Sequence, residues 1–590
     1  MIVQMGKIAV IMQSKDAASG IKALRAQGVL HVEHQQVPKG KDLSLLHDDL
    51  ALIDQALEIL QEEGVAERPG RTPQERVVAD WKTTSRHIAD LRKRIDHLKE
   101  YARELEQKIK AWQEWGDFNP DTVRQLAEKG IYLKLYQVPL REVKRMPAAA
   151  VVKKIAVKNG SVYCVLVSRG IVECPFKEIE LPKMGFQKMQ SRLSEDLNYT
   201  QGLKNQLHEC LCYRQALLKA RKTLKKEIEF QEVLNGMGQA LGLTYLVGYA
   251  PLESEQALAG LAEKEKWGIF ITAPSEEDNV PTLIRNPKWI SLVSPLFKFL
   301  EILPGYRERD ISLPFLIFFS IFFGMLIGDA GYGLAYFLIT FWLQQKARKK
   351  NKDTSSFSLF YILSACAVIW GILTGTFFGH EWVLKAGYKP LMPALNNDKN
   401  LQGFCFFLGA LHLSIAHAWR GVLKSPSINA LAELGWICIL WAAFFIAKML
   451  ILGDSFPSFG KWLIIAGVSC VIFFTNPQKN ILKTIGSGLG TLALSLMNSF
   501  TDVVSYIRLF AVGLAGIAIA DAFNAMAGMV AGGNIFAIAA ACGIAIIGNA
   551  LGVVLGPVSV LVHGVRLNVL EFSGHANVSW SGVSYKPLKI

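Results

Sequence analysis

The distribution of apolar residues divides the chain into two unlike halves. Up to about residue 305, apolar positions alternate with Lys, Glu and Arg; beyond Ile311 they run together in stretches long enough to span a bilayer. In the first half, residues 6–33 set two apolar runs around an amphipathic stretch, the pattern of a β-α-β unit. Residues 131–138 and 151–168 alternate as strands do, with Asn159-Gly160 as a hairpin signal. Ile88, Leu91, Ile95, Leu98, Ala102, Leu105, Ile109 and Trp112 are spaced by three and four in turn, which is the seam of a coiled coil. A returning arm over about 186–234 has a less regular seam through Leu193, Leu197, Leu203, Leu207, Cys210, Leu217, Leu224 and Ile228, interrupted at Arg214 and Arg221. The segment YLVGYAPLESEQAL predicts a second α/β lobe that mirrors the first. Prolines 281, 287, 295, 304 and 314 then disfavour continuous helix and mark a linker. The fold expected for residues 1–305 is therefore α+β, two small α/β lobes joined by antiparallel coiled-coil arms. The polar faces of the arms favour a strut over a compact domain.

Residues 306–590 are expected to form an all-α polytopic membrane domain of eight helices. As one helix, residues 311–345 would reach roughly 52 Å at about 1.5 Å per residue, against a hydrocarbon core of about 30 Å. A reversal at the glycines of GDAGYG makes two spans instead, and returns the basic loop QQKARKKNKD to the side of the soluble half, as the positive-inside rule requires. Further spans follow at about 357–379, 402–423, 430–452, 461–475, 486–530 and 535–570. An even count puts the tail with Lys586 and Lys589 on the cytoplasmic side. The last two spans are too long for upright helices and should be tilted or broken, a geometry suited to wrapping a curved partner.

Composition narrows the function. The 590 residues are 51% hydrophobic and carry a formal net charge of +14, which cytoplasmic loops of a membrane protein explain; no aromatic-basic patch points to nucleic acid. Nine cysteines without a CxxC pair give no disulfide framework and no structural metal site. No phosphate loop of the form GxxxxGK[ST] occurs, so ATP hydrolysis by this chain itself is not expected. The opening MIVQMGKIAVIMQSKD lacks the run and flanks of a signal peptide.

The candidate chemistry lies in the two overlong spans. Arg508 stands in the almost uncharged stretch from Gly486 to Val530, and Arg566 in LVHGVRLNVLEF. A guanidinium at the bilayer centre costs about 2.5–3.5 kcal/mol on insertion scales, so a return in function is expected: an ion pathway or a counter-charge to a carboxylate. An arginine reaching an interface is the plainer alternative, better suited to Arg566 than to Arg508. Asn498, Asp502, Ser505 and Arg508 follow spacings of 4, 3 and 3, a polar stripe ending in the arginine. His563, Arg566 and Glu571 make a shorter stripe, with Asn568 beside it. Such stripes suggest aqueous half-channels; the alternative is groups that satisfy one another inside a bundle.

SYIRLFAVGLA, the GDAGYG turn with Asp329, VRLNVLEF and NPKWISLVSPLF together resemble subunit a, called subunit I in bacteria, of the rotary V-type and archaeal-type ATPases. The likeness runs over essentially the whole chain. It implies a stator subunit, not catalytic for ATP, that holds two offset half-channels against a rotating proteolipid ring whose carboxylates carry H⁺ or Na⁺; no cofactor is implied. Arg508 matches the arginine that meets the ring carboxylate, and Arg566 a second one that assists it. Asn498, Asp502, Ser505, His563, Asn568, Glu571 and Asp329 become candidates for the channel lining. The implied partners are the ring, peripheral-stalk subunits, a central-stalk cap subunit and the lipid membrane. The implied location is a bacterial or archaeal inner membrane, with the N-terminal domain cytoplasmic. Gly516 and Gly556 depart from eukaryotic relatives, which often have histidine and glutamate there. The competing class is a self-contained secondary transporter or channel with a cytosolic regulatory domain, but residues 311–590 show no inverted repeat.

Overall fold

The computed structural model describes every residue except 63–79, 118, 148–149, 159, 171, 173, 350–353, 380–389, 476–480, 533 and 590. The hairpin signal at Asn159 and the end of the basic run at 350–353 lie outside the described residues. Along the first half come β1 (Met5–Gln13), α1 (Ala17–Gln27), β2 (His31–Glu33), and the arm helices α2 (Lys41–Gln61) and α3 (Trp81–Trp112). Next are β3 (Tyr132–Pro139), β4 (Val151–Lys158), β5 (Ser161–Ser168), β6 (Glu178–Ile179), and the returning helices α4 (Phe186–Glu209) and α5 (Arg214–Gly236). The half closes with β7 (Gly238–Ala240), β8 (Leu243–Pro251), α6 (Glu255–Glu265) and β9 (Gly268–Thr272).

Two lobes joined by helical arms are present, but they divide the sequence differently from expectation. One sheet has the order β4-β5-β3-β6. The other has the order β2-β8-β1-β9, with β7 on β8. The segment around β8 thus completes the first lobe instead of building a mirror image. Its strand is inserted between β1 and β2, with Gly248 opposite Ile8 on one side and Val32 on the other. A Cβ on Gly248 would stand 2.4 Å from the His31 carbonyl oxygen, so the approach of β2 requires glycine there.

The arm seam on α3 forms as its spacing predicts, with Ile88, Leu91, Ile95, Ala102 and Leu105 buried. On α4 the three-four rhythm runs through Met189, Asp196, Thr200, Leu203 and Leu207. Leu197 falls one position outside it and is 48% exposed, so following leucines alone misplaces that seam. Arg221, expected as an interruption, forms an ion pair with Asp54 of α2 at 2.6 Å. α2 was not foreseen as an arm helix; it packs with α3 and α5 around Ile53, Leu57 and Leu60.

The second half contains α7 (Ser312–Ile327), α8 (Ala330–Lys349), α9 (Phe357–Thr374), α10 (Asp398–Lys424), α11 (Ala430–Ala447) and α12 (Gly460–Phe474). It ends with α13 (Ile481–Ser505), α14 (Ile507–Val530) and α15 (Ile535–Ser559), which continues through π-helical turns to Ala576. Among the described residues, five helices are long and apolar enough to cross a membrane, or six if the bent pair α7–α8 counts as one span. α12 is apolar but only 15 residues long. α7 is the core of the bundle: Phe315, Phe319, Phe322 and Phe323 pack against Leu413, Tyr506, Leu509 and Leu567. The axis turns by 119° between α7 and α8, where Gly328 takes a left-handed φ of +66°. The long final segments are irregular, as their length predicts, with a break at Tyr506, Pro557 inside α15, and π turns over Val560–Gly564 and Leu567–Phe572. Outward-facing Phe337, Trp342, Ile546, Ile547 and Val554 are exposed, a surface suited to an apolar solvent.

The tail returns to the first lobe. Val583–Ser584 pairs in parallel with Pro281–Thr282, and the Leu588 amide donates to the Leu30 carbonyl at 2.9 Å. Both ends of the chain therefore lie on one side of the bundle.

Candidate functional site

The break at Tyr506 brings Arg508 to the start of α14, facing the π turn that holds Glu571. Arg508 Nη2 forms an ion pair with Glu571 Oε1, and its Nε donates to the Ser505 carbonyl at 2.9 Å. Its Nη1 has no protein partner among the described residues. Arg566 Nε stands 3.8 Å from the same Glu571 oxygen. Glu571 is almost wholly enclosed while Arg566 is 57% exposed. Glu571 Oε2 and Asn568 Oδ1 are both buried without a protein partner among the described residues; Asn568 Nδ2 donates to the Gly564 carbonyl at 3.1 Å. Two orphaned acceptors beside two guanidiniums leave room for a water or a transferred proton.

The expected stripe of 498, 502, 505 and 508 is only partly assembled. Ser505 contributes its carbonyl oxygen, not its hydroxyl, to the arginine. Asn498 is exposed, and His563 is half-buried without a hydrogen bond among the described residues. Asp502 accepts from His575 Nε2 at 3.1 Å, and among the described residues it makes no hydrogen bond to Arg508. Asp329 is a correction: it does not line an open path. It is fully buried, and its two oxygens accept from the amides of Tyr332 (3.0 Å), Phe378 (2.9 Å) and Gly379 (2.7 Å), clamping the bend between α7 and α8 to the loop after α9.

The sequence reading missed a polar chain that starts at Asp502. His575 Nδ1 lies 2.9 Å from His417 Nε2, and His417 Nδ1 lies 2.7 Å from Glu433 Oε2. Glu433 Oε1 is paired with Lys424 at 2.6 Å and Arg420 at 3.0 Å. His417 and Glu433 are buried on α10 and α11. Two ionisable residues within apolar helices were a signal, but they sit on helices far from the arginines in sequence. On the other side of Arg508, away from the soluble lobes, a cavity of about 150 Å³ is lined by Gly328, Thr374, Thr376, Asp398, Gly513 and Ile517.

Among known proteins, the chain is 32% identical over 626 aligned residues to V-type ATP synthase subunit I of Borreliella burgdorferi, covering 100% of this chain and 99% of that protein. It is 30% identical to V-type ATP synthase subunit I 1 of Treponema pallidum, covering 100% of both. The chain belongs to the V-type ATP synthase subunit I family. A-type ATP synthase subunit I of Methanocaldococcus jannaschii is 25% identical over 65% of this chain and 61% of its own length. No family model matches the chain. A solved structure titled as the cytoplasmic N-terminal domain of subunit I, homolog of subunit a, of V-ATPase covers 45% of this chain and 100% of its own at 14% identity, with a TM-score of 0.22. Membership of this family makes the chain a component of a V/A-type ATP synthase complex.

Proposed function

We propose that this chain is the stator of a rotary V/A-type ATP synthase or ion pump, and that ions pass between two offset half-channels across Arg508. The observation that carries this reading is the place of Arg508. It stands between the polar chain that begins at Asp502 and a cavity on the far side, with Nη1 free of protein partners among the described residues. A permanent cation favours the ionised form of a carboxylate brought against it. As the proteolipid ring turns past, Arg508 drives each ring carboxylate to release its ion, and its fixed charge blocks leakage between the half-channels. Glu571 holds the guanidinium in place until a ring carboxylate competes for it, and Arg566 assists from the exposed side.

The bundle is proposed to cross the membrane eight times, counting α7 and α8 as separate spans, α12 as a short one, and α13–α14 as one broken span. The shared side of both chain ends supports an even count. Residues 1–305 then face the cytoplasm of a bacterial or archaeal cell, and the arms carry the peripheral stalks. The central-stalk cap subunit is a further partner on this reading, and the lipid membrane surrounds the bundle. The transported ion is H⁺ or Na⁺, and the driving force sets the working direction.

Arg508→Ala tests the reading. The complex should assemble and its ion transport should vanish; wild-type transport by an assembled Arg508→Ala complex refutes it. A cysteine at position 349 should react with an impermeant thiol reagent only from the cytoplasmic side, and labelling only from outside would invert the spans.

A further inference from the structure

Resting on the stator reading, we propose that Trp580 is a positioning residue for ion transport: its indole N–H holds the π turn that presents Glu571 to Arg508 and Arg566, and the linker before α7 holds Trp580. Trp580 is half-buried and takes a left-handed φ of +59°. A bulky side chain rarely adopts that conformation, and it persists only where the surroundings impose it. Asn577, which ends the last helical turn at φ +60°, is an ordinary left-handed cap by comparison.

The linker supplies what holds Trp580. Glu308 Oε2 accepts from the Gly305 amide at 2.7 Å and from the Trp580 amide at 3.3 Å. Its Oε1 accepts from the Ser579 amide at 2.8 Å and from the Ser579 hydroxyl. Burial works to raise the Glu308 carboxyl, but these donors bring it below its ordinary value, so it accepts as a carboxylate. Phe297, in the short helix Ser294–Phe299, meets the indole edge to face at 5.6 Å, and meets Phe315 of α7 in the same way at 4.8 Å. Beyond Trp580, the Gly582 amide donates to the Leu303 carbonyl at 3.0 Å. The tail is thus laced to the linker on both sides of Trp580, with the ring aimed back at the π turn.

Trp580 Nε1 donates to the Val569 carbonyl at 3.1 Å, inside the π turn Leu567–Phe572. The same carbonyl accepts from the Ser573 hydroxyl. In an α-helix it would accept from the Ser573 amide, four residues on; here that amide donates to the Asn568 and Leu570 carbonyls instead. With both lone pairs of the Val569 oxygen taken, the α register is closed to the Ser573 amide. Loss of the indole N–H reopens it. The α register removes the extra residue from the turn, and positions 566 and 571 then no longer share a face. Glu571 swings away from Arg566 and loosens its hold on Arg508.

The test uses the whole ATP synthase complex, reconstituted in liposomes and driven by ATP, with transport read by a voltage-sensitive dye that responds to either ion. Trp580→Phe keeps a ring against Phe297 and deletes the N–H. Amide exchange over Glu571–Gly574 should quicken by about fivefold, the ratio that one hydrogen bond of typical net strength supplies, with the rest of the bundle unchanged. Transport per ATP hydrolysed should fall, while subunit content and unfolding temperature stay at wild-type values. Glu308→Ala, which frees the tail without touching the indole, should produce the same faster exchange and the same loss. In a Glu571→Gln background, Trp580→Phe should lower transport no further, because its effect passes through that carboxylate. Unchanged exchange in Trp580→Phe overturns the proposal, and so does wild-type coupling there. An equal fractional loss in the Glu571→Gln background also overturns it and leaves Trp580 a packing residue. Arg508→Ala, run beside them, separates the two readings. Wild-type transport there fells the stator reading, whereas loss of transport there with normal coupling in Trp580→Phe fells this proposal alone.

Discussion

Arg566 Nε lies 3.8 Å from Glu571 Oε1, five residues further along the same segment. In an α-helix, positions five apart do not share a face. They meet here because Leu567–Phe572 is wound as a π turn, the rare form that recurs at functional sites. The extra residue per turn presents Glu571 to both arginines at once, one on its own segment and one on α14. A single carboxylate thereby fixes the spacing of two guanidiniums that would otherwise repel each other.

Removing that carboxylate should affect both arginines. Glu571→Ala leaves the Arg508 guanidinium without its buried partner and should destabilise the chain by about 3 kcal/mol. Glu571→Gln keeps a hydrogen-bond acceptor and should cost less. Both should lower ATP-driven transport, Glu571→Ala by more. Thermal unfolding of the purified complex, followed beside transport, checks the order; equal stability of wild type and Glu571→Ala would mean the pairing contributes nothing.

Asp329→Ala should act on structure instead of transport chemistry. Three backbone amides lose their acceptor, and unsatisfied buried donors cost about 1–3 kcal/mol each. The loop from Thr376 to Gly379 should loosen from the α7–α8 bend, read as faster amide exchange there. Complexes that still assemble should keep measurable transport. Complete loss of transport with unchanged exchange would return Asp329 to the ion path.

Charges placed in the arms test the strut. Leu105 packs with Trp112, Trp115 and Met189 against the β4-β5-β3-β6 sheet, and Leu98 lies at the edge of the seam. Leu105→Asp should therefore be the more damaging, since a lone buried charge is costly, and Leu98→Asp the milder. The double variant should lose peripheral-stalk subunits while its membrane half still inserts. Unchanged subunit stoichiometry and helicity would count against the strut.

The parts of the fold that were legible in the sequence are those governed by local periodicity. The α3 seam, the strands around Val151 and Val165, the proline linker and the breaks in the final spans follow from spacing, turn chemistry and length. What was not legible depends on contacts between distant segments. Nothing local indicates that β8 inserts between β1 and β2, or that the tail after Val583 docks on the first lobe. The site divides in the same way. Arg508 and Arg566 are conspicuous as charges in apolar runs, whereas His417 and Glu433 become part of the site only when α10 and α11 pack beside His575. Asp329 had the composition of a channel residue, and only the positions of the Phe378 and Gly379 amides reveal a clamp.

The docked tail should respond to pH through His31. Burial lowers the pKa of this histidine, aided by Lys586 and His34, against the raising influence of the Lys586 carbonyl and Glu33. Its Nδ1 accepts from the Lys586 amide at 3.0 Å, a bond that a proton on Nδ1 abolishes. The undocked ring, with the ordinary value of 6.5, binds protons more readily than the docked one. Docking is therefore favoured fully above pH 6.5 and weakens as the pH falls below it toward the lowered value. Amide exchange at Val583–Leu588 should accelerate on going from pH 7.5 to 5.5, after correction for the intrinsic rate. In His31→Gln that corrected acceleration should disappear, because glutamine does not titrate. An acceleration that persists in the variant would place the sensing group elsewhere.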